Sequence, residues 1–190
     1  MKLVPGALSL ADLRAFATAR VPVVLDAPTR SRLDAGADAV RRIVAEGKPV
    51  YGINTGFGKL AQTHIAADQL ELLQKNLVLS HSVGVGPLLD DDVVRLTMLL
   101  KVASLARGYS GVRAAVVDAI LALLERDIHP CIPSKGSVGA SGDLQPLAHL
   151  TAALMGFGDV RHAGKVTPAA EALAQAGRSE ERRVGKECRL

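Results

Sequence analysis

The chain has 190 residues, 48% of them apolar and 22% charged, with a formal net charge of +4; this is the balance of an ordinary globular protein, long enough to bury about 70% of its extended surface. Half of the excess charge lies in Arg178–Leu190, where five basic residues face three acidic ones. The near-neutral remainder has no basic stripe interleaved with aromatics, so nucleic-acid binding has little support. Asp12 and Arg14 interrupt any signal-peptide core, and Arg95 and Lys101 interrupt the longest apolar run, Val93 to Ala106, so no membrane partner is expected. The two cysteines, Cys131 and Cys188, are far apart, which argues against a disulfide framework and suits a reducing, cytoplasmic compartment.

The apolar share leans on Ala and Leu, and the predicted elements are mainly helical. Ser9 caps a first helix with Leu10, Leu13 and Phe16 on one face. A second runs from about Ser31 to Glu46, with Leu33, Ala37, Val40 and Val44 inward, and Gly47-Lys48-Pro49 ends it. Val50 and Tyr51 read as short and extended, leading into a Gly-rich loop. Residues 67–79 make a third helix. Asp90 to Asp92 open a fourth, with Leu96, Leu99, Leu100 and Ala103 at helical spacing and Gly108 as its stop. The fifth, Val112 to Glu125, turns Val112, Ala115, Val116, Ala119, Ile120 and Leu123 to one side. Ile128 to Pro133 is extended and broken by proline. Asp143 caps a further helix carrying Leu144, Leu147, Ala148, His149, Leu150, Ala153 and Leu154, with Pro146 in its first turn. A β-prone stretch near Val160 to Val166 and a helix from Ala169 to Gln175 follow.

Before that Asp143 helix stands Gly136 to Asp143, GSVGASGD. So many small residues make a backbone that can bend where most cannot. A bend that brings the Gly142 amide nitrogen against the Ala140 carbonyl carbon allows attack and loss of water. Loss of the Ser141 hydroxyl as a second water then leaves an exocyclic methylidene. Such a ring is an electrophile made from the chain itself, and no ordinary side chain supplies one. The positive end of the following helix stabilises electron density arriving there.

Together with YGINTGFG (Tyr51 to Gly58), NLVLSHSVGVG (Asn76 to Gly86) and RGYSGVR (Arg107 to Arg113), this segment resembles the aromatic amino acid ammonia-lyases that carry a methylidene-imidazolone group, the histidine-acting branch most closely. The resemblance covers Leu3 to about Gly177. It implies a mainly α architecture, the N-terminal head of a fumarase/aspartase-like helical enzyme whose long central helix bundle lies beyond residue 190. Residues 1–177 are then the catalytic head, and 178–190 a non-family charged tail left by truncation or cloning. Gln145 departs from the small or apolar residue expected at its place.

The resemblance implies ring formation from Ala140, Ser141 and Gly142 with no external cofactor, and Tyr51 as catalytic base. A free phenol holds its proton at neutral pH, so that role needs a site favouring the phenolate. Taken alone, Tyr51 reads as a tyrosine closing a strand with its ring in the core. Ser80-His81 stands where phenylalanine or tyrosine lyases have Phe-Leu or His-Leu; a neutral imidazole suits a histidine substrate, and a satisfied histidine at a helix end is the other reading. Asn54 completes the implied substrate contacts, with Thr55, Gly56 and Gly58 shaping the loop. The expected reaction removes ammonia from L-histidine to give trans-urocanate, in a homotetramer whose sites draw on several subunits, so the 190-residue chain alone is expected to be nearly inactive. Rival readings are a tyrosine or phenylalanine lyase, an aminomutase, or a nucleotide-binding module on GFGKLA. That last fingerprint lacks the acidic residue about twenty positions on. His64, His129, His149 and His162 have no metal-ligand spacing, and no metal is expected.

Overall fold

The computed structural model describes residues 1–19, 21–140 and 142–175. Ser141 and the expected boundary between Gly177 and Arg178 lie outside the described residues. Strand β1 (Lys2–Leu3) pairs in parallel with β2 (Val24–Leu25), on either side of α1 (Leu10–Thr18). Ser9 caps α1 as expected: its hydroxyl accepts from the Asp12 amide at 3.2 Å and its own amide donates to the Asp12 carboxylate at 2.9 Å. Helix α2 (Ala27–Glu46) starts four residues before the expected Ser31. Asp26 accepts from the Thr29 amide at 3.0 Å, and Pro28 sits in the first turn, where a missing N–H is harmless.

Two 3₁₀ turns, Gly58–Leu60 and Ala67–Gln69, precede α3 (Leu70–His81). The GFGKLA stretch thus follows no strand and opens no long helix, which removes the setting a dinucleotide loop needs. Next come β3 (Val85–Leu88), α4 (Asp91–Leu105), α5 (Ala114–Glu125), β4 (His129–Pro130), β5 (Pro133–Lys135), β6 (Val138–Gly139), β7 (Gly142–Asp143), α6 (Gln145–Leu154), β8 (Asp159–His162), β9 (Lys165–Pro168) and α7 (Ala169–Gln175). The strands form small sheets: β3 with β5, β4-β8-β9, and the β6–β7 hairpin, all antiparallel. The fold is mainly α, as the composition predicts, with β pairs as clasps between helices.

Val94, Met98, Leu99 and Val102 of α4 and Val117, Ile120 and Leu123 of α5 form the core, closed by Phe16, Ile128, Ile132 and Leu150. Each such side chain contributes roughly 1.5–3 kcal/mol when fully buried. Helix α5 is rolled from the expected face: Val117 and Leu124 are buried, whereas Ala115 is exposed. The RGYSGVR block explains itself against α2. A Cβ on Gly36 would lie 2.4 Å from the Gly108 carbonyl oxygen, and one on Gly111 would lie 2.3 Å from Val40 Cγ2. Both glycines of the block, at φ 84° and 66°, let its backbone lie directly on the helix. Gly36→Ala is therefore expected to lower unfolding free energy by about 1–3 kcal/mol in chemical denaturation, through overpacking against backbone that cannot yield. An unchanged midpoint refutes this close contact.

Away from the loops, His129 is 4% exposed between two carboxylates, with Nδ1 3.5 Å from Asp91 and Nε2 3.3 Å from Asp127. Asp127 also holds Arg95 at 3.2 Å, and Asp91 pairs with Arg161. Burial lowers the His129 pKa below 6.5; Asp127 and Asp91 oppose this, and Arg95 adds to it. Burial also lowers His149. The unfolded chain therefore takes up protons near pH 6.5 that the native chain resists. This contribution to stability is complete above 6.5 and is lost as pH falls through 6.5 toward the native values. Asp12 and Asp26, held below 3.8 mainly by hydrogen bonds from Ser9 and Thr29, titrate outside that window. The thermal midpoint is expected to fall between about pH 7.5 and about pH 5.5; a flat profile there contradicts it.

Candidate active site

The segment expected to form the ring is a β-hairpin. Val138 pairs with Asp143 and Gly139 with Gly142, so the chain reverses between the two glycines. Gly142 has φ 90°, a left-handed conformation that a side chain would strain. Where a Cβ would stand at 142, no heavy atom of the described residues lies within 4 Å. Ala140 and Gly142 are exposed. A residue free of Cβ, a backward-turning backbone and open space are what closure of a five-membered ring on Ala140 requires.

The following helix differs in detail from the expected one. Its N-cap is Leu144, which makes no side-chain cap bond. Asp143 lies one residue earlier, and its Oδ1 accepts from the Gln145 amide at 3.2 Å. The carboxylate still serves the first helical amide, and the positive end of α6 begins three residues after Gly142.

Ser80 and His81 close α3. His81 Nδ1 lies 2.7 Å from the Leu77 carbonyl and 3.2 Å from Ser80 Oγ, while Ser80 Oγ donates to the same carbonyl at 3.1 Å. A carbonyl only accepts, so Nδ1 carries a proton toward Leu77, and in the Nδ1–H tautomer Nε2 is left as an acceptor. Three residues on, the Gly84 amide donates to His149 Nε2 at 3.1 Å. That bond needs a neutral His149, which its burial favours. Helix α6 therefore anchors both the ring hairpin and the segment behind His81.

Tyr51 stands on a separate loop. Val50 and Tyr51 form no strand; the Val50 carbonyl accepts from the Ile53 and Asn54 amides at 3.1 and 3.2 Å, a tight turn. Asn54, 2% exposed, braces that turn. Its Oδ1 accepts from the Val50 amide at 2.7 Å and its Nδ2 donates to the Lys48 carbonyl at 2.9 Å. Short-range competition of this kind draws Asn into turns rather than strands. Thr55 bridges to His64, and its hydroxyl donates to the Gly56 carbonyl at 3.0 Å. Tyr51 is 63% exposed, its ring edge-on to Phe57 at 5.7 Å. Among the described residues, no hydrogen bond ties its side chain to α3 or to the hairpin. Asn54→Ala removes the acceptor for a backbone amide in this turn, and thermal denaturation is expected to show a loss of about 1–3 kcal/mol.

The structure thus gathers Ser80, His81, Ala140, Gly142 and Asp143 around α6 and leaves Tyr51 and Asn54 on their own loop. His149, Gly84 and Gly136 join these parts; sequence reading placed His149 on the helix and both glycines in the motif blocks but gave none of them this role. A histidine at helical spacing among leucines was the only available signal. Among the described residues, no group of histidine, cysteine and carboxylate side chains is placed to hold a metal, and no helix is long and apolar enough to cross a membrane.

Residues 8–187 match the family described as aromatic amino acid lyase. The chain is 58% identical over 175 residues to a histidine ammonia-lyase of Burkholderia pseudomallei (strain 668) and 57% to one of Burkholderia mallei (strain NCTC 10229), covering 92% of this chain and 34% of each relative. It therefore spans about a third of the length of the curated relatives it matches. Among solved structures it superposes on an ergothioneine-degrading ergothionase from Treponema denticola with a TM-score of 0.88 at 31% identity, over 93% of this chain and 35% of that one. A Trypanosoma cruzi histidine ammonia-lyase gives 0.83 at 33%, over 93% and 34%. A Pantoea agglomerans phenylalanine aminomutase gives 0.87 at 30%, over 93% and 34%.

Proposed function

The chain belongs to the aromatic amino acid lyase family, and from that premise we propose that it is the head of a histidine ammonia-lyase, which removes ammonia from L-histidine to give trans-urocanate. The observation that carries the choice of substrate is His81: with Nδ1 bound to Leu77, its Nε2 is an acceptor suited to the N–H of a substrate imidazole. A hydrocarbon ring offers no donor there, whereas a phenol offers its O–H, so this contact favours histidine over phenylalanine and the choice against tyrosine rests on sequence identity. The high identity to histidine ammonia-lyases supports the same choice. Folds of nearly equal likeness include a phenylalanine aminomutase, so the backbone alone does not discriminate.

The open hairpin and the φ of Gly142 fit the prosthetic group that Ala140, Ser141 and Gly142 can form. Once formed, that group supplies an electrophile that makes the substrate amine a better leaving group. Tyr51 is the proposed base for the β-proton, because an unactivated C–H needs a positioned base. Asn54 contributes to the substrate site by fixing the turn that carries Tyr51. Ser80 helps fix the His81 ring. Asp143 holds the first amide of α6 behind the hairpin.

Tyr51 lies open in this chain, and an apolar groove lined by Val78, Leu105, Val116, Leu150 and Leu154 lies between α3, α4, α5 and α6. Both fit a site completed by further chain, in a cytoplasmic homotetramer, and the 190 residues alone are expected to turn over little histidine. Substrate preference tests the reading. Joined to the C-terminal two-thirds of the Burkholderia pseudomallei relative, residues 1–175 are expected to release urocanate from histidine. Exchange of Ser80-His81 for His-Leu is expected to move preference toward tyrosine. Preferential deamination of tyrosine or phenylalanine by the unchanged sequence overturns the histidine assignment.

A further inference from the structure

Gln145 opens α6 and is 3% exposed, unusual burial for a long polar side chain. Its Nε2 donates to the Pro133 carbonyl of β5 at 3.1 Å. Two glycines from different segments leave it no spare room. A Cβ on Gly84 would fall 2.0 Å from Nε2 and 2.5 Å from Cδ, and one on Gly136 would fall 2.9 Å from Oε1. Gly84 lies three residues beyond His81 and leads into β3; Gly136 follows β5 and leads into β6. The β3–β5 ladder pairs Val85 with Lys135 and Leu88 with Pro133, with an irregularity between them, so strand pairing alone fixes this joint loosely.

The Oε1 atom is buried and accepts no hydrogen bond among the described residues. An unpaired buried acceptor is unfavourable, and an apolar side chain of equal length would fill the slot without one. What glutamine adds is the bond to Pro133. We propose that Gln145 is a positioning residue that fixes the spacing between the His81-bearing end of α3 and the ring hairpin, using an amide where a small or apolar residue is expected. The functional meaning of that spacing rests on the histidine ammonia-lyase reading; the mechanical coupling does not.

Amide hydrogen exchange on the 190-residue chain tests the proposal, with Gln145→Ala and Gln145→Met beside the parent. In Gln145→Ala, exchange across residues 82–88 and across 133–143 is expected to quicken by about tenfold, with α4 and α5 at parent rates. Gln145→Met fills the slot but lacks the amide. It is expected to restore protection over 82–88 and to leave 133–143 fast. Unchanged exchange in Gln145→Ala overturns the proposal. So does equal acceleration through α4 and α5, or full rescue of both segments by Met. The intact mass of the same samples reports separately on ring formation. A parent of unmodified mass with the expected exchange pattern counts against ring formation in this chain and leaves the coupling standing.

Discussion

Ser141→Ala is expected to abolish the mass deficit of two waters that the parent is expected to show within Ala140, Ser141 and Gly142. Both waters have defined sources. One leaves when the Gly142 nitrogen closes on the Ala140 carbonyl carbon, and the other carries off the Ser141 hydroxyl. Alanine has no hydroxyl to lose, so no methylidene can form, and the electrophile vanishes entirely rather than weakening. Gly142→Ala is expected to have the same outcome by a different route. At φ 90° a Cβ strains the backbone that presents the nitrogen, a penalty of about 1–3 kcal/mol that favours other conformations of the hairpin. Intact mass with fragmentation across Ser137 to Leu144 reads both variants. A deficit of two waters that persists in Ser141→Ala, or that maps elsewhere in the parent, disproves the assignment of the ring. In the completed enzyme, loss of the group should reduce deamination to the level of the blank.

Tyr51→Phe is expected to leave that mass deficit intact while slowing deamination in the completed enzyme by about 10²–10⁴-fold, the range typical of a lost general base. Tyr51 is 63% exposed and its ring meets Phe57 edge-on, so removing the hydroxyl disturbs no packing. The turn that carries it is held by Asn54 through the Val50 amide and the Lys48 carbonyl, neither of which the substitution touches. Stability should therefore stay within about 0.5 kcal/mol of the parent. A Tyr51→Phe enzyme of parental kcat removes Tyr51 from the chemistry. A variant that also loses the ring would assign the residue to maturation instead.

Much of the fold was legible because its signals are local. Ser9 and Asp12 cap α1 through bonds spanning three residues, and Gly47 ends α2 at φ 68°. The bounds of α7 follow from side chains a turn apart, whereas the face of α4 was misread: Val94, Met98 and Val102 are buried beside Leu99, and Leu100 is exposed. The four motif blocks were equally visible, and with them the family. Misplaced boundaries came from competing local signals: Asp26 and Pro28 start α2 earlier than Ser31, and Asn54 folds Val50 and Tyr51 into a turn.

By itself, then, the sequence determined the helical class and the family, and it supplied the small-residue run on which the proposed ring rests, because caps, periodicity and small-residue runs act over a few positions. Only the tertiary structure decided how they meet. It rolled α5 to bury Val117 rather than Ala115, set His129 between Asp91 and Asp127, and turned the Asn54 amide inward. It also seated Gln145 between Gly84 and Gly136, 52 positions apart in the chain. Such contacts depend on which distant segments come to share a surface, and no spacing within one segment encodes that.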